Sequence, residues 1–292
     1  MATGYTTTSS VADSLPSVIA SARQVREYEG VMPQVVDKVT LGKGVGLTWS
    51  EVAFDQLTAS SVTELTEFDN PQQISDTIFS ITPTVIGVET VITDRVAARI
   101  DKGAYTKLGG LAQNAIQRKK DEDGLTVLDS ATTSLCGAGV TLTSGYIAAA
   151  VSRILGNVTE PGKQPIRCVL HGYQIKDIVD ELVAGVGTYN VDNKDGITAR
   201  AFSEMLVGKV GGAEIFEDGN IAIDSSDDAK GGVFAKDAIV LVQGRSPWTE
   251  TERRQIGGGA NAVFLYDEFA YGERCSGSWL FELYSDATAP TS

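Results

Sequence analysis

Alternating apolar and polar positions mark the region that begins at residue 31. The run VVDKVTL, residues 35–41, has the two-residue period of a β-strand. Gly42-Lys43-Gly44 interrupts this pattern, which resumes at Val45, Thr48 and Trp49. We therefore predict a long β-hairpin that turns at these glycines. Its apolar residues are few for its length, so we expect it to project from the core and lie on a neighbouring subunit.

Two β-rich runs follow, ISDTIFSI and TVIGVETVI, with Thr82-Pro83 between them. Because proline lacks an N–H group, it indicates a break between two strands. Thr93-Asp94 is typical of a helix start. Apolar residues at three- and four-residue steps then predict a helix over 94–120, roughly 40 Å long at about 1.5 Å per residue. Its glycines indicate a bend or a close packing partner, and they are Gly103, Gly109 and Gly110.

The rest of the chain consists of an arm, a central α/β region and a strand-rich tail. Residues 1–30 predict an arm with a short helix at 18–28. The central region predicts helices at 144–155, 174–184 and 199–207, strands at 166–170 and 214–217, and a loop at 185–196. From residue 232 onward three strand-rich runs follow, with TERRQIGGG as a connecting loop. The chain is therefore expected to belong to the α+β class.

The acidic composition narrows the range of functions. The chain has 24 Lys and Arg against 38 Asp and Glu, which gives a net charge of −14 at pH 7. A protein that binds nucleic acid through the phosphates needs a basic surface, so the acidic composition excludes a DNA-binding protein. It does not exclude a protein that only encloses DNA. Three widely spaced cysteines predict no disulfide framework. The N-terminus lacks a signal-peptide pattern, so we do not expect secretion. No apolar run approaches the roughly 18 residues of a membrane span, so we do not expect membrane insertion.

No group of residues predicts catalysis. His171 follows Cys168 by three residues, but a Cys–His pair needs contact between the side chains and a third group that orients the base. A single histidine excludes a multi-histidine metal site, and the acidic loops lack the spacing of an EF-hand. GKGVG at 42–46 and Gly257-Gly258-Gly259 do not match phosphate-binding loops. We expect no enzyme, no metal and no cofactor.

The order of elements resembles the tailed-bacteriophage major capsid protein family, whose fold encapsulins and herpesvirus capsid floor domains share. Two segments carry this resemblance. In LTEFDNPQQISDTIFSITPTVIGVETVITDRVAARI, residues 65–100, a polar loop leads through strands into the Thr-Asp-capped helix. GGVFAKDAIVLVQGRSPWTETERR, residues 231–254, looks like the family's late strand that returns to the peripheral domain. The resemblance covers nearly the whole chain and rests on shape more than on sequence signatures.

The resemblance implies a division of the chain into an N-terminal arm at 1–30, an extended β-hairpin loop at 31–70, a peripheral domain at 71–124 and 233–292 with its spine helix at 94–120, and an α/β axial domain at 125–232. It implies a structural subunit that self-assembles as hexamers and pentamers into an icosahedral shell around double-stranded phage DNA. The implied location is the virion, with assembly in the host bacterial cytoplasm. A separate scaffold protein and a portal are implied partners, and a decoration protein is a further candidate.

Apolar residues on a projecting segment should contact neighbouring subunits. The predicted contact residues are Val35, Val39, Leu47, Trp49 and Phe54. Three other functions stay open at this point: an encapsulin-like shell, another virion protein such as a tail-tube subunit, and, less favoured, an α/β enzyme built on 125–232.

Overall fold

The computed structural model describes residues 28, 30–62, 64, 71–99, 102–186, 208–256 and 258–291, without the side chains of 102–108 and 182–186. The helices are α1 (Met32–Val35), α2 (Asp94–Ala97), α3 (Lys102–Asp129), α4 (Ser144–Leu155) and α5 (Gly172–Val186). The strands are β1 (Asp37–Thr40), β2 (Trp49–Phe54), β3 (Asp76–Ile81), β4 (Thr84–Thr93), β5 (Ser134–Cys136), β6 (Ile166–Leu170), β7 (Lys209–Val210), β8 (Ala213–Glu217), β9 (Asp228–Ala235), β10 (Ile239–Arg254), β11 (Ala260–Glu273) and β12 (Leu280–Asp286).

A four-stranded sheet is built around the two longest strands. Its order is β1-β10-β11-β4, with β10 and β11 antiparallel along almost their whole length. β4 pairs antiparallel with β11, whereas β1 pairs parallel with β10. The register of β10 against β11 shifts between Gln243 and Trp248, and such bulges increase the local twist of a sheet. The long helix α3 packs across β11 and covers one face of this sheet.

A six-stranded mixed sheet holds most of the hydrophobic core. Its order is β5-β12-β9-β6-β8-β7. β6 reads IRCVL, and a nearly continuous apolar run is typical of a strand that is covered on both faces. The core cluster also includes residues of α1, α3 and the four-stranded sheet, so the two sheets share one interior. Its fully buried large side chains include Met32, Leu128, Leu142, Ile147, Ile154, Ile166, Leu170, Phe234, Phe269 and Leu280.

Many predicted elements are confirmed. The helix at 144–155 and the strand at 166–170 have the predicted bounds, and the break at Thr82-Pro83 separates β3 from β4. The helix predicted at 174–184 spans 172–186, and the strand predicted at 214–217 begins one residue earlier. The predicted connecting loop is shorter than expected, because β10 continues to Arg254. The predicted helices at 18–28 and 199–207 lie outside the described residues, apart from Tyr28.

The long helix differs from its predicted bounds of 94–120. α2 covers only Asp94–Ala97, and α3 extends nine residues beyond the predicted end, to Asp129. Ion pairs between successive turns support this continuation, with Arg118 facing Glu122 at 3.6 Å and Lys119 facing Asp123 at 2.6 Å.

Gly124 has a packing role within this helix. A Cβ atom at this position would lie 2.8 Å from the Cβ of Met32 and 3.2 Å from the ring of Tyr271. The absence of a side chain at Gly124 therefore allows α1 and β11 to approach the helix closely. A glycine that looks like a stop signal in the sequence is thus a contact point in the fold.

The predicted hairpin at Gly42-Lys43-Gly44 is wrong in its pairing. β1 pairs with β10 in the four-stranded sheet, whereas β2 pairs antiparallel with β3, with Trp49 opposite Ile81 and Phe54 opposite Asp76. Alternation identifies a strand and its faces, but it does not specify the partner strand. The two-stranded element, here called the ribbon, therefore consists of β2 and β3 and lies within residues 49–81 rather than 31–70.

Candidate assembly surface

The ribbon has two faces with different surroundings. Residues directly opposite each other, and residues two apart on one strand, share a face. The inner face carries Trp49, Phe79 and Ile81, and the outer face carries Val52, Phe54 and Ile78. The two sets are therefore directed to opposite sides of the same pair of strands.

The inner face attaches the ribbon to the four-stranded sheet. Ile81 is buried against Val240 and Val242 of β10. Trp49 and Phe79 are partly buried around this contact, and their rings meet edge to face with centroids 6.0 Å apart. These contacts form a small hydrophobic cluster, separate from the main core, at the base of the ribbon.

Gly272 on β11 makes room for this cluster. A Cβ atom at Gly272 would lie 2.7 Å from the Cδ1 of Ile81 and 2.9 Å from the ring of Phe79. Any larger residue would therefore force the base of the ribbon away from the sheet. A hydrogen bond between the hydroxyl groups of Thr48 and Thr82, at 2.9 Å, joins the chain segments next to the base.

Arg274 adds a polar attachment beside the hydrophobic one. Its Nε donates to Glu51 of β2 at 2.7 Å, and its Nη2 donates to Asp37 of β1 at 3.2 Å. A third donor, Nη1, binds the backbone oxygen of Asp237 at 2.7 Å. The guanidinium also lies over the ring of Trp49, 5.9 Å from its centroid. One partly buried arginine thus connects the ribbon to the edge of the four-stranded sheet.

The outer face is exposed in the single chain. Phe54 is 71% exposed, Ile78 is 65% exposed and Val52 is 46% exposed. Val52 lies directly opposite Ile78, with Phe54 two residues along the same strand, so the three form one apolar patch. Full burial of a side chain of this kind contributes about 1.5 to 3 kcal/mol, and a two-stranded ribbon is only marginally stable alone. The patch has the properties of a surface that a protein partner covers.

The five predicted contact residues have three different environments. The prediction is wrong for Val35, which is 1% exposed because α1 directs it into the subunit's own core. Val39 and Trp49 are partly buried at the base of the ribbon. Leu47 and Phe54 are 79% and 71% exposed, and they stay predicted contacts with a neighbouring subunit.

Val52 and Ile78 were missed by the sequence reasoning. Val52 could have been found, because it lies two residues before Phe54 and therefore shares its face. Ile78 could not have been found in this way, because the sequence pattern does not show that β3 pairs with β2.

A cleft of about 460 Å³ lies between α3 and the four-stranded sheet. The helix lines it with small residues such as Gly109 and Ala112, and the sheet lines it with Val263 and Leu265. A Cβ atom at Gly109 would have no atom within 4 Å, so the helix leaves open space there. Among the described residues that line the cleft, no side chain is titratable.

Cys168 and His171, the residues considered for catalysis, are not arranged as a nucleophile and its base. Cys168 is fully buried, and burial raises the pKa of its thiol far above neutrality, so the reactive thiolate does not form. Burial also lowers the pKa of His171, whose Nδ1 accepts a hydrogen bond from the backbone of Tyr173 at 3.2 Å. In the described ranges, no three His, Cys, Asp or Glu side chains group as metal ligands, and no helix has the length and apolarity to span a membrane.

The sequence matches no protein-family model and no curated protein. Solved structures do match. The capsid of the cyanophage P-SCSP1u aligns with a TM-score of 0.68 and 13% identity over 91% of each chain. The head of Helicobacter pylori bacteriophage KHP40 aligns with a TM-score of 0.70 and 12% identity over 91% of this chain and 93% of that one. The capsid of cyanophage Pam1 aligns with a TM-score of 0.66 and 12% identity over 93% of this chain and 98% of that one. The chain has the phage capsid fold.

The likeness to phage capsid structures covers about 91% of the chain. The expected α+β class and the expected capsid fold are both confirmed. At 12 or 13% identity the likeness is one of fold alone, and few individual residues are shared.

Proposed function

We propose that this chain is a major capsid protein, a structural subunit that assembles as hexamers and pentamers into an icosahedral shell around a double-stranded phage genome. The main support for this proposal is the outer face of the ribbon. This face is apolar, no described residue covers it, and it belongs to a chain with the phage capsid fold. A patch that docks on a different surface of the next copy makes a head-to-tail contact, and such contacts form rings when the rotation between copies closes.

The domain division is part of the proposal. The ribbon acts as the extended loop, α3 as the spine helix, the four-stranded sheet as the peripheral domain and the six-stranded sheet as the axial domain. Residues 1–30 act as the arm. This division differs from the predicted one for three strands: β1 belongs to the four-stranded sheet, β3 belongs to the ribbon, and β12 belongs to the six-stranded sheet between β5 and β9.

The acidic composition suits a shell that encloses DNA without adhering to it. With a net charge of −14, the subunit cannot neutralise many phosphates, so a genome can move along the inner wall during packaging. In this role the protein belongs to the virion and assembles in the cytoplasm of the host bacterium. A scaffold protein, a portal and a decoration protein are the proposed partners besides the subunit itself.

Electron microscopy of the purified chain tests the proposal directly. Negative-stain images after size exclusion, with and without a candidate scaffold protein, should show closed shells or rings of five and six subunits. A small oligomer that persists under all conditions would contradict it. Stacked rings would favour a tail-tube subunit, a co-purifying protein cargo in place of DNA would favour an encapsulin-like shell, and small-molecule binding would favour an enzyme.

Two neighbouring residues of β3 provide a matched pair of variants. Ile78→Glu places a charge on the outer face of the ribbon and should abolish or strongly reduce shell formation, because burial of an unpaired charge is costly. Thr77→Glu places the same charge on an exposed position of the opposite face and should assemble normally. Both variants should remain soluble and folded by circular dichroism. Normal assembly of Ile78→Glu would show that the outer face is not an interface.

A further inference from the structure

Two carboxylates meet in the interior of the subunit. Asp121 of α3 and Asp218, which follows β8, are both fully buried and lie within hydrogen-bonding contact of each other. Asn220 joins them, since its side-chain nitrogen donates to Asp121 Oδ2 at 2.9 Å and its backbone N–H donates to Asp218 Oδ1 at 2.9 Å. We call Asp121 and Asp218 the carboxylate pair. It connects the long helix to the six-stranded sheet.

The segment that leads from the arm into α1 binds to the same pair. The backbone N–H of Met32 donates to Asp121 Oδ1 at 2.9 Å, and that of Val31 donates to Asp218 Oδ2 at 3.2 Å. Gly30 lies directly against the pair, because a Cβ atom there would overlap the carboxyl group of Asp121. Both carboxylates therefore accept hydrogen bonds from a segment that is distant in sequence, 89 residues from Asp121 and 187 residues from Asp218.

The surroundings of the pair are acidic. Burial raises the pKa of Asp218 to about 7, the negative charge of Asp121 adds to this, and the N–H donors of Asn220 and Val31 oppose it. Among the described residues, no basic side chain acts on Asp218. Two ionised carboxylates in this position would repel each other, so a proton on Asp218 stabilises the arrangement.

In the part of the chain that the structure describes, the other titratable groups near the pair are acids and phenols, with one paired lysine. Tyr28 hydrogen-bonds Glu217 next to Asp218, and burial raises the pKa of this phenol. Tyr271 of β11 lies near Asp121 and Asp123, and burial raises its pKa as well. On α3, Lys120 is turned away from the pair and binds Asp267. The charge within the site is therefore set by the carboxylates themselves.

We propose that the carboxylate pair holds the segment from Gly30 to Met32 in place while Asp218 carries a proton, and that loss of this proton releases Val31 and Met32 from the core. An unfolded Asp loses its proton near pH 3.8, whereas Asp218 in place keeps it up to about pH 7. The attached state therefore binds more protons between these values, and its stability falls as the pH rises from about 4 to about 7. Val31 and Met32 are held in mildly acidic solution and released in alkaline solution. This behaviour belongs to the single subunit and does not depend on assembly.

Hydrogen–deuterium exchange of the full-length soluble subunit tests the proposal, read from peptides that cover residues 31–36. Protection factors, corrected for the intrinsic effect of pH, should fall at least about tenfold between pH 5.5 and pH 8. Asp218→Asn keeps the shape of the side chain and cannot ionise, so its protection should change less than about threefold over the same range. Asp237→Asn, at an exposed position, should behave as the unmodified chain.

Two results would overturn the proposal: unmodified protein whose protection of residues 31–36 is independent of pH, or Asp218→Asn protein that shows the same fall. If Asp218→Asn does not fold, Asp121→Asn serves instead. Removal of the neighbouring negative charge lets Asp218 ionise at lower pH, so the fall in protection should move to lower pH. An unmoved fall in Asp121→Asn would equally exclude the pair as its cause.

Discussion

Lys120 occupies an uncommon environment for a lysine. Its ammonium group binds Asp267 at 2.9 Å and the side-chain oxygen of Gln243 at 2.6 Å, and it lies 4.7 Å from the centroid of the Phe269 ring. The side chains of Lys120 and Asp267 are 9% and 0% exposed. The Lys120–Asp267 pair attaches the long helix to the four-stranded sheet beside the β10 bulge. Removal of one partner from a buried ion pair leaves the other charge without compensation.

Lys120→Met should therefore destabilise the subunit by about 3 to 5 kcal/mol. Methionine preserves most of the apolar stem, so the loss comes from the unpaired Asp267 carboxylate rather than from a cavity. The measurement is the urea midpoint of the soluble subunit, followed by circular dichroism. The double variant Lys120→Met/Asp267→Leu should recover part of the loss, because it removes the remaining buried charge as well.

Lys119 offers a control at the adjacent position. It forms an i,i+4 ion pair with Asp123 at 2.6 Å, but its side chain is 54% exposed. Lys119→Met should shift the stability by less than about 0.5 kcal/mol, because water and salt screen an exposed pair. If Lys119→Met and Lys120→Met lose equal stability, burial of the Lys120–Asp267 pair does not increase its contribution to the free energy of unfolding.

At the scale of elements, sequence patterns predicted most strands and helices but not their partners. The alternation around Val39 and the run at 49–54 both correspond to strands, yet the assumption that sequence neighbours pair placed them in one hairpin. Gln243 and Leu41 show why this fails: β1 pairs with a strand some two hundred residues away, and Leu41 N donates to Gln243 O at 2.9 Å. Such pairings depend on the whole fold and leave no local signal.

The attachment of the ribbon depends on Gly272. Gly272→Val should push Ile81 and Phe79 off the four-stranded sheet and cost about 1 to 3 kcal/mol, the usual range for overpacking. Amides of β2 and β3 should then exchange faster with deuterium, while those of β6 and β9 in the main core keep their protection. Uniform loss of protection across both sheets would show that the ribbon is not a separate packing unit.

Gly109→Ala is the opposite case among the glycines. Its new methyl group would enter open space beside the cleft, and alanine favours the helix. This variant should stabilise the subunit by about 0.5 to 1 kcal/mol and leave the exchange of the ribbon unchanged. The two glycines look alike in the sequence, and only the three-dimensional contacts separate a glycine that is required from one that is tolerated.

At the scale of the whole molecule, charge opposes the proposed assembly. Each subunit carries a net charge of −14, so neighbouring copies repel one another, whereas the outer face of the ribbon favours contact. Salt shortens the range of the repulsion, from about 10 Å at 0.1 M to about 3 Å at 1 M, and leaves apolar contacts intact. The balance between these two effects decides the concentration at which subunits assemble.

Shell formation should therefore begin at a several-fold lower subunit concentration in 1 M NaCl than in 0.1 M NaCl, measured by light scattering and checked by electron microscopy. Glu64→Gln combined with Asp237→Asn lowers the net charge to −12 at two exposed positions. Because it weakens the repulsion itself, this variant should assemble at lower concentration and respond less to salt. Assembly that salt inhibits would show that ion pairs across the interfaces outweigh both the repulsion and the apolar contact of the ribbon.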